Sequence, residues 1–185
     1  MNITQYLEEV VQELNKTVEL IPELEADKLM NTILDSKKIF VAGAGRSGLM
    51  GKSFVMRMMH MGIDAYVVGE TVTANLEQGD LLIIGSGSGE TNTLIPIAEK
   101  AKKLGGAVAL ITTSPESTLG KIADIVVPLP GAQKDRSNNN YQTIQPMGSL
   151  FEQTMLLFYD ALILRFMDIK GLDSNKMYGK HANLE

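Results

Sequence analysis

Hydrophobic residues follow two different spacings along the chain, and the change between them lies near residue 37. Over residues 2–36 the apolar positions recur at helical spacing, for example at Leu7, Val11 and Val18. Pro22 interrupts this pattern, and a proline inside a helix removes a backbone donor and clashes with the preceding turn. We therefore predict two helices before residue 37.

Five short apolar runs rich in β-branched residues follow from Lys38 onward, at 39–41, 65–68, 81–84, 108–111 and 125–127. Most lack polar alternation, which is typical of strands that are covered on both faces of a parallel sheet. Helical patterns separate the runs, at 47–61, 91–104 and 117–123. Because strands and helices alternate, we predict a doubly wound α/β domain with right-handed crossovers.

The C-terminal part combines a polar loop with a strongly apolar helix. Residues 129–145 are predicted to form the loop, and residues 148–168 the helix. Leu156, Leu157 and Leu162–Leu164 spread around this helix instead of forming one stripe, which indicates burial on most sides. Burial against another subunit is the simplest explanation in a domain of this size. A tail of about 170–185 completes the chain.

Composition narrows the class of protein. A length of 185 residues fits one domain over 1–185, with residues 1–36 as a helical extension. The chain has no cysteine and two histidines, which argues against disulfides, thiolate metal sites and a multi-histidine metal centre. A net charge of −5 is unfavourable for general nucleic-acid binding. We find no signal peptide or membrane-spanning run, and expect a cytoplasmic protein with no membrane partner.

A first glycine loop, Gly43–Gly48, follows the first strand and opens a helix. Its pattern is G-x-G-x-x-G, and Glu70 lies after the second strand, near the position of a ribose-binding acid. One interpretation is therefore a nicotinamide cofactor site. The other is a tight strand-to-helix turn, which favours glycine in any such fold. The motif alone is weak evidence for a cofactor.

A second loop, Ser86–Thr91, favours a phosphate monoester. It has the sequence Ser-Gly-Ser-Gly-Glu-Thr after the third strand and is predicted to open another helix. Glycines expose backbone N–H groups, hydroxyls add donors, and a helix N-terminus adds positive potential. Ser86, Ser88 and Thr91 have helix capping as their alternative role. A third hydroxyl-rich turn, Thr112–Pro115, follows the fourth strand, and Arg46 is expected nearby, so a phosphorylated sugar fits better than a dinucleotide.

Glu152 is the candidate base that the residues themselves indicate, and the two histidines have simpler alternative roles. Glu152 lies at the start of the last helix, where negative charge is favoured, so it is a candidate base. Ser149 and Glu152 also have the spacing of a capping box, which is the structural alternative. His181 lies in a polar tail, where a histidine is more often a solvated residue than a catalyst. His60 lies among methionines, where apolar packing is its simplest role.

The Ser86–Thr91 loop, the Pro146–Glu152 stretch and the Gly43–Gly48 turn together resemble the sugar isomerase (SIS) domain family. The resemblance extends from about residue 27 to residue 185. It implies a flavodoxin-like three-layer α/β/α sandwich, with five parallel strands in the order 2-1-3-4-5. It also implies a homo-oligomer, most simply a tetramer, and catalysis without a metal or organic cofactor.

The resemblance further implies isomerisation of D-arabino-hex-3-ulose 6-phosphate to fructose 6-phosphate through a cis-enediolate. The preceding step would belong to a hexulose-6-phosphate synthase that uses formaldehyde. Glu152 corresponds to the family's catalytic glutamate, and His181 to a tail histidine that enters a neighbouring subunit's site. Arg46 would offset enediolate charge or pair with the phosphate. The remaining implied phosphate ligands are Gly45, Ser47, Ser86, Ser88 and Thr91.

Three alternatives remain open from the sequence. One is a noncatalytic phosphosugar sensor, although the acidic first 36 residues do not favour an attached DNA-binding element. Another is a nicotinamide oxidoreductase that uses the first glycine loop. A third is an isomerase of another phosphosugar, such as an arabinose 5-phosphate.

Overall fold

The computed structural model describes residues 1–131 and 142–184. The strands are β1 (Ile39–Gly43), β2 (Ala65–Val67), β3 (Leu81–Gly85), β4 (Ala107–Thr112) and β5 (Ile125–Pro128). The helices are α1 (Ile3–Val18), α2 (Glu23–Asp35), α3 (Gly45–His60), α4 (Ile95–Lys103), α5 (Thr118–Ile122), α6 (Ser149–Lys170) and α7 (Ser174–Tyr178). Pro22 is the residue that precedes α2, which confirms the predicted break between the first two helices.

The five strands form one parallel sheet in the order β2-β1-β3-β4-β5, as predicted. The direction in which strands are added reverses between β1 and β3. Both of these strands end on a glycine, and Gly43 and Gly85 lie opposite each other in the register. Loops that leave neighbouring strands at such a reversal diverge and leave a crevice, where ligands bind in open α/β sheets.

Alternate residues of the strands face two separate cores, which makes the fold a three-layer sandwich. Ile39, Val41 and Ile83 pack with α2, α3 and α6 on one face. Phe40, Leu82 and Ile84 pack with α4 and α5 on the other. The two-residue period of a strand therefore places apolar side chains on both faces, as the uninterrupted apolar runs predicted.

One helix prediction needs correction, and one helix was not predicted. Helix α4 begins at Ile95 rather than at residue 91, because Pro96 occupies the first turn, where proline favours a helix start. Residues 91–94 form a turn instead, in which the Thr91 carbonyl accepts hydrogen bonds from Leu94 and Ile95 N–H. The short α7 within the tail was not predicted. Of the predicted 129–145 loop, residues 132–141 lie outside the described residues.

The chain itself buries half of the residues of α6. Its buried side chains pack on α3 and the sheet, and α1 also contacts it. Thr17 of α1 is buried there, with its hydroxyl 3.4 Å from that of Thr154. Burial within the chain therefore accounts for 11 of the 22 residues of α6, and burial of its remaining face by another subunit stays a prediction. Leu157 and Leu164 remain exposed.

No helix in the described ranges has the length and apolar character needed to cross a bilayer.

Tyr159 of α6 is a fully buried aromatic residue whose hydroxyl has no hydrogen-bond partner among the described residues. Its ring stacks on Phe54 of α3, with centroids 4.2 Å apart. Burial raises the pKa of Tyr159 far above its ordinary value, so the hydroxyl stays neutral. The ring therefore stabilises the α3–α6 interface, while the hydroxyl is desolvated without compensation.

We expect Tyr159→Phe to raise the free energy of unfolding by about 1 kcal/mol, because it removes an unsatisfied buried hydroxyl and keeps the stacked ring. Denaturant titration measures the change. Tyr6→Phe on the exposed side of α1 is the matched control and should leave stability unchanged. A loss of stability in Tyr159→Phe would show that the hydroxyl makes a stabilising bond.

Candidate functional site

The first glycine loop joins β1 to α3 by a close backbone approach. A Cβ on Gly48 would lie 2.7 Å from the Gly43 carbonyl oxygen, so neither position accepts a side chain. Gly45 has a φ of +58°, a left-handed conformation that glycine adopts without strain. These contacts explain all three glycines without a dinucleotide. Glu70, the candidate ribose-binding acid, forms an exposed ion pair with Lys52 instead.

The hydroxyl groups of the second loop form hydrogen bonds within the loop itself. The Ser86 hydroxyl is buried and lies 2.9 Å from that of Thr91, and it also accepts a hydrogen bond from Gly89 N–H. The Ser88 hydroxyl accepts one from Glu90 N–H. No side chain caps α4, whose first flanking residue is Leu94, so the capping alternative for these hydroxyls is wrong.

Several backbone N–H groups of this loop are available to a ligand. Among the hydrogen bonds of the described residues, the N–H groups of Gly87, Ser88 and Thr91 donate to no protein acceptor. Successive unpaired N–H groups in a curled loop form a concave site that binds anions. With the adjacent hydroxyls, the loop provides the donors that a phosphate monoester requires.

The hydroxyl-rich turn after β4 stabilises the second loop through hydrogen bonds. The Gly87 carbonyl accepts hydrogen bonds from the hydroxyls of Thr112 and Thr113, at 3.0 and 2.8 Å, and from Thr113 N–H. The composition of this turn identified it as hydroxyl-rich. Its hydrogen bonds to the second loop could not be predicted, because the acceptor of the Thr112 hydroxyl lies 25 residues earlier in the chain.

Helix α5 supports the same loop from the other side. The Gly89 carbonyl accepts a hydrogen bond from Leu119 N–H, and Glu90 accepts one from Thr118 N–H at 2.7 Å. These hydrogen bonds from Thr118 hold the pKa of Glu90 below its ordinary value. Gly89 has a φ of +64°, and a Cβ there would overlap the Ser117 hydroxyl. The loop conformation therefore requires glycine at this position.

Glu152 lies in the first turn of α6 and forms an ion pair with Arg46 of the first loop. Arg46 Nε lies 2.5 Å from Glu152 Oε2. The Glu152 side chain is only 6% exposed, whereas that of Arg46 is 58% exposed. Helix α6 is capped by Gly148 without a side-chain hydrogen bond, so the capping-box alternative for Ser149 and Glu152 is wrong. The carboxylate is aimed at the neighbouring loop instead of at its own helix.

The start of α6 contacts both loops. Phe151 packs on Gly87, where an added Cβ would lie 3.2 Å from the ring, and Met155 packs on Gly85. Glu152 lies between these two residues in the helix and reaches Arg46. The structure therefore gathers Arg46 and Glu152 beside the hydroxyl loop at the carboxyl ends of β1 and β3. Gly45 and Ser47 flank Arg46 at the N-terminus of α3.

His181 is not brought to this site within one chain. Its ring stacks on that of His60, with centroids 5.2 Å apart, and Tyr178 lies beside it. His60 is the last residue of α3 and Arg46 is its second, so the two are separated by nearly the length of the helix. Burial lowers the pKa of His60, and the nearby His181 and Arg57 add to this effect. The packing role expected for His60 agrees with its burial.

The gathered groups can carry out proton transfer next to an anion-binding loop. A carboxylate, a guanidinium and a loop of neutral donors provide a base, a positive charge and an anion site. Within residues 1–131 and 142–184, no three acidic or histidine side chains lie close enough to hold a metal ion.

This fold is that of a SIS domain, and the chain belongs to that family: the SIS domain matches residues 32–157. The 3-hexulose-6-phosphate isomerase of Bacillus subtilis strain 168 is 59% identical over 185 residues, which is 100% of both chains. The predicted family and fold class are therefore confirmed.

Archaeal proteins show the same similarity. The 3-hexulose-6-phosphate isomerase of Methanocaldococcus jannaschii is 39% identical over 158 residues, covering 85% of this chain and 83% of that protein. A crystal structure of a hypothetical protein from Methanococcus jannaschii, for which a molecular function of 3-hexulose-6-phosphate isomerase was inferred, aligns with a TM-score of 0.84. Its sequence identity is 34%, and the alignment covers 98% of this chain and 99% of the other.

Proposed function

We propose that the protein isomerises D-arabino-hex-3-ulose 6-phosphate to fructose 6-phosphate. The observation that carries this proposal is a nearly buried carboxylate, Glu152, held beside a loop of hydroxyls and unpaired N–H groups. The 59% identity to a 3-hexulose-6-phosphate isomerase over the whole chain supports the choice of substrate.

The reaction moves a carbonyl group from C3 to C2, and one base can serve both carbons. Glu152 removes the proton from C2, a cis-enediolate forms, and the same carboxyl group returns the proton to C3. The Ser86–Thr91 loop holds the phosphate, with Gly45 and Ser47 of the facing loop. Binding energy from this nonreacting group orients the carbon chain toward Glu152.

Arg46 belongs to the reacting end in this proposal. Its Nε contacts the carboxylate of Glu152, which supports a role in stabilising the negative charge that develops on the enediolate oxygens. The exposed side chain has room to turn from Glu152 toward the substrate. Assignment to the enediolate is therefore favoured over assignment to the phosphate.

We expect Arg46→Met to lower kcat about 100-fold and to change KM only a few-fold, because the lost charge acts in the transition state. Steady-state kinetics measure both constants. Lys103→Met, which removes an exposed positive charge from the end of α4 on the opposite face of the sheet, is the control and should retain activity. A rise in KM with an unchanged kcat would instead assign Arg46 to the phosphate.

The role of His181 requires a second subunit. Because it lies away from Glu152 of its own chain, we propose that the tail completes a neighbour's site and assists proton movement between substrate oxygens. Exposed apolar side chains offer surface for association into a tetramer: Leu7, Val11, Leu49, Met56, Leu157 and Leu164. Mixing inactive Glu152→Gln and His181→Ala chains tests this directly. Hybrid oligomers regain activity if the site is shared, and stay inactive if it is not.

The proposal also covers the localisation of the protein, its domain organisation and the source of its substrate. We place the protein in the cytoplasm, as a single SIS domain over 1–185 with residues 1–36 as its helical extension. A hexulose-6-phosphate synthase would supply the substrate.

The decisive experiment is an assay of hexulose 6-phosphate, prepared with a synthase from formaldehyde and ribulose 5-phosphate. Arabinose 5-phosphate is the competing substrate. Formation of fructose 6-phosphate at a kcat/KM far above that for arabinose 5-phosphate supports the proposal. Binding without turnover would indicate a sensor, and preference for the pentose phosphate would indicate a different isomerase.

A further inference from the structure

Glu13 of α1 binds the segment that leads into α6. Its carboxylate accepts hydrogen bonds from the Thr143 hydroxyl at 2.6 Å, from Ile144 N–H at 2.8 Å and from the Gln145 side-chain amide at 2.9 Å. Three consecutive residues thus donate to one side chain that lies about 130 positions earlier in the chain. Such a concentration of donors on one carboxylate fixes the position of a loop more firmly than isolated surface contacts do.

The bound segment contains a strained residue. Met147 has a φ of +54°, the one left-handed residue other than glycine among the described residues. A left-handed conformation costs a side-chain-bearing residue about 1–2 kcal/mol, and it persists only where the surroundings enforce it. Gln145 is buried, and its N–H donates to the Thr143 hydroxyl, so the hydrogen bonds made by Glu13 continue into the turn.

This turn determines where α6 begins. Gly148 is the N-cap and makes no side-chain capping bond, so the helix start depends on the segment before it. Glu152 follows within the first turn, and its N–H donates to the Gly148 carbonyl. A shift of residues 143–148 would therefore move the carboxylate that faces Arg46.

Helix α1 is itself anchored to α6, which lets Glu13 act as a fixed point. Thr17 lies one helical turn after Glu13, on the same face, and is buried against Thr154. Burial acts to raise the pKa of Glu13, but the hydrogen bonds from residues 143–145 and the charge of Lys16 outweigh it, so the pKa is lowered and the carboxylate stays ionised near neutral pH.

We propose that Glu13 is a positioning residue for the isomerase: it holds the strained turn at 143–148 and thereby places Glu152 for proton transfer. This inference rests on the proposed function. It assigns a catalytic contribution to the N-terminal helix, which lies before the residues matched by the SIS domain.

The test compares Glu13→Gln with Glu9→Gln, an exposed position one turn earlier on the same helix. In Glu13→Gln one carboxylate oxygen becomes an NH2 group, which opposes the donors of residues 143–145. We expect kcat to fall about 10- to 100-fold with KM unchanged within about twofold, because a small displacement of a catalytic group affects the transition state most. Glu9→Gln should behave as the unchanged protein.

A second variant separates positioning from folding. Glycine adopts a left-handed φ without strain, so Met147→Gly in the Glu13→Gln background should restore part of the lost kcat. Hydrogen exchange should show faster exchange at residues 144–149 in Glu13→Gln and slower exchange again in the double variant.

Three results would each overturn the inference. One is an unchanged kcat in Glu13→Gln, and another is a rise in KM as large as the fall in kcat. The third is a double variant whose kcat is no higher than that of Glu13→Gln. If the unchanged protein does not isomerise hexulose 6-phosphate, the proposed function itself fails. That failure is distinguishable from failure of the Glu13 inference, because it appears in the unchanged protein before any Glu13 variant is compared.

Discussion

Glu152→Gln is expected to lower kcat about 10²- to 10⁴-fold while phosphosugar affinity stays within a few-fold, since a general base contributes about that factor. Glutamine has the same shape but is too weak a base to remove a carbon-bound proton. Its amide oxygen still accepts a hydrogen bond from Arg46, so the contact between α6 and the first loop is kept. Steady-state kinetics and calorimetric titration with fructose 6-phosphate measure the two effects separately.

Glu99→Gln is the matched control for this prediction. Glu99 is an exposed residue of α4, on the opposite face of the sheet from α6, so its neutralisation should leave kcat unchanged. Exchange of the C2 proton with solvent provides a second measurement, because it requires the base but not the complete reaction. Unchanged exchange or turnover in Glu152→Gln would remove this residue from the mechanism.

Gly89→Ala is expected to raise KM about 100-fold, or roughly 2.8 kcal/mol of lost binding energy. The new Cβ would overlap the Ser117 hydroxyl and would also occupy a left-handed φ of +64°. The loop must then move, which displaces the Ser86 hydroxyl and the unpaired N–H groups from a bound phosphate. Each charge-assisted hydrogen bond lost costs about 1.5–3 kcal/mol, so one or two account for the effect.

Gly171→Ala distinguishes the overlap from the backbone strain. Gly171 has a similar φ of +60°, but no atom lies within 4 Å of an added Cβ, and it ends α6 far from the loop. It should lower stability by about 1–2 kcal/mol and leave KM unchanged. Removing the overlap in a Gly89→Ala, Ser117→Gly double variant should recover part of the affinity. If Gly89→Ala binds phosphosugar normally, the loop is not the phosphate site.

Local patterns predicted the scaffold because the two periods of hydrophobicity are properties of neighbouring residues. The apolar runs at 39–41 and 81–84 indicated buried parallel strands, and both are present, extended by one or two residues. The start of α4 was misjudged because the glycine–hydroxyl motif was taken as a helix opening, whereas Pro96 sets the first turn. The capping roles fitted the spacing and were wrong: the Thr91 hydroxyl contacts Ser86 within its own loop, and Glu152, the capping-box partner of Ser149, contacts Arg46 across the fold.

The candidate site was predictable in its residue types but not in its connections. Glu152 and Arg46 were both identified, yet their ion pair joins positions 106 apart, and no local pattern specifies such a pair. The bonds of Glu13 to residues 143–145 carried no signal in the sequence for the same reason. Bracing of Gly87 by Thr112 and Thr113 likewise depends on how β3 and β4 are paired.

The amino-acid sequence by itself determined the order of helices and strands, the donor-rich loop after β3 and the acid at the start of α6, since each depends on residues close together in the chain. Tertiary structure alone decided that α6 contacts both loops, that Glu152 faces Arg46 and that His181 lies at the far end of α3. These contacts join residues far apart in the chain. Packing of the sheet and its helices brings such residues together, and hydrophobic spacing does not encode the partner of any one side chain.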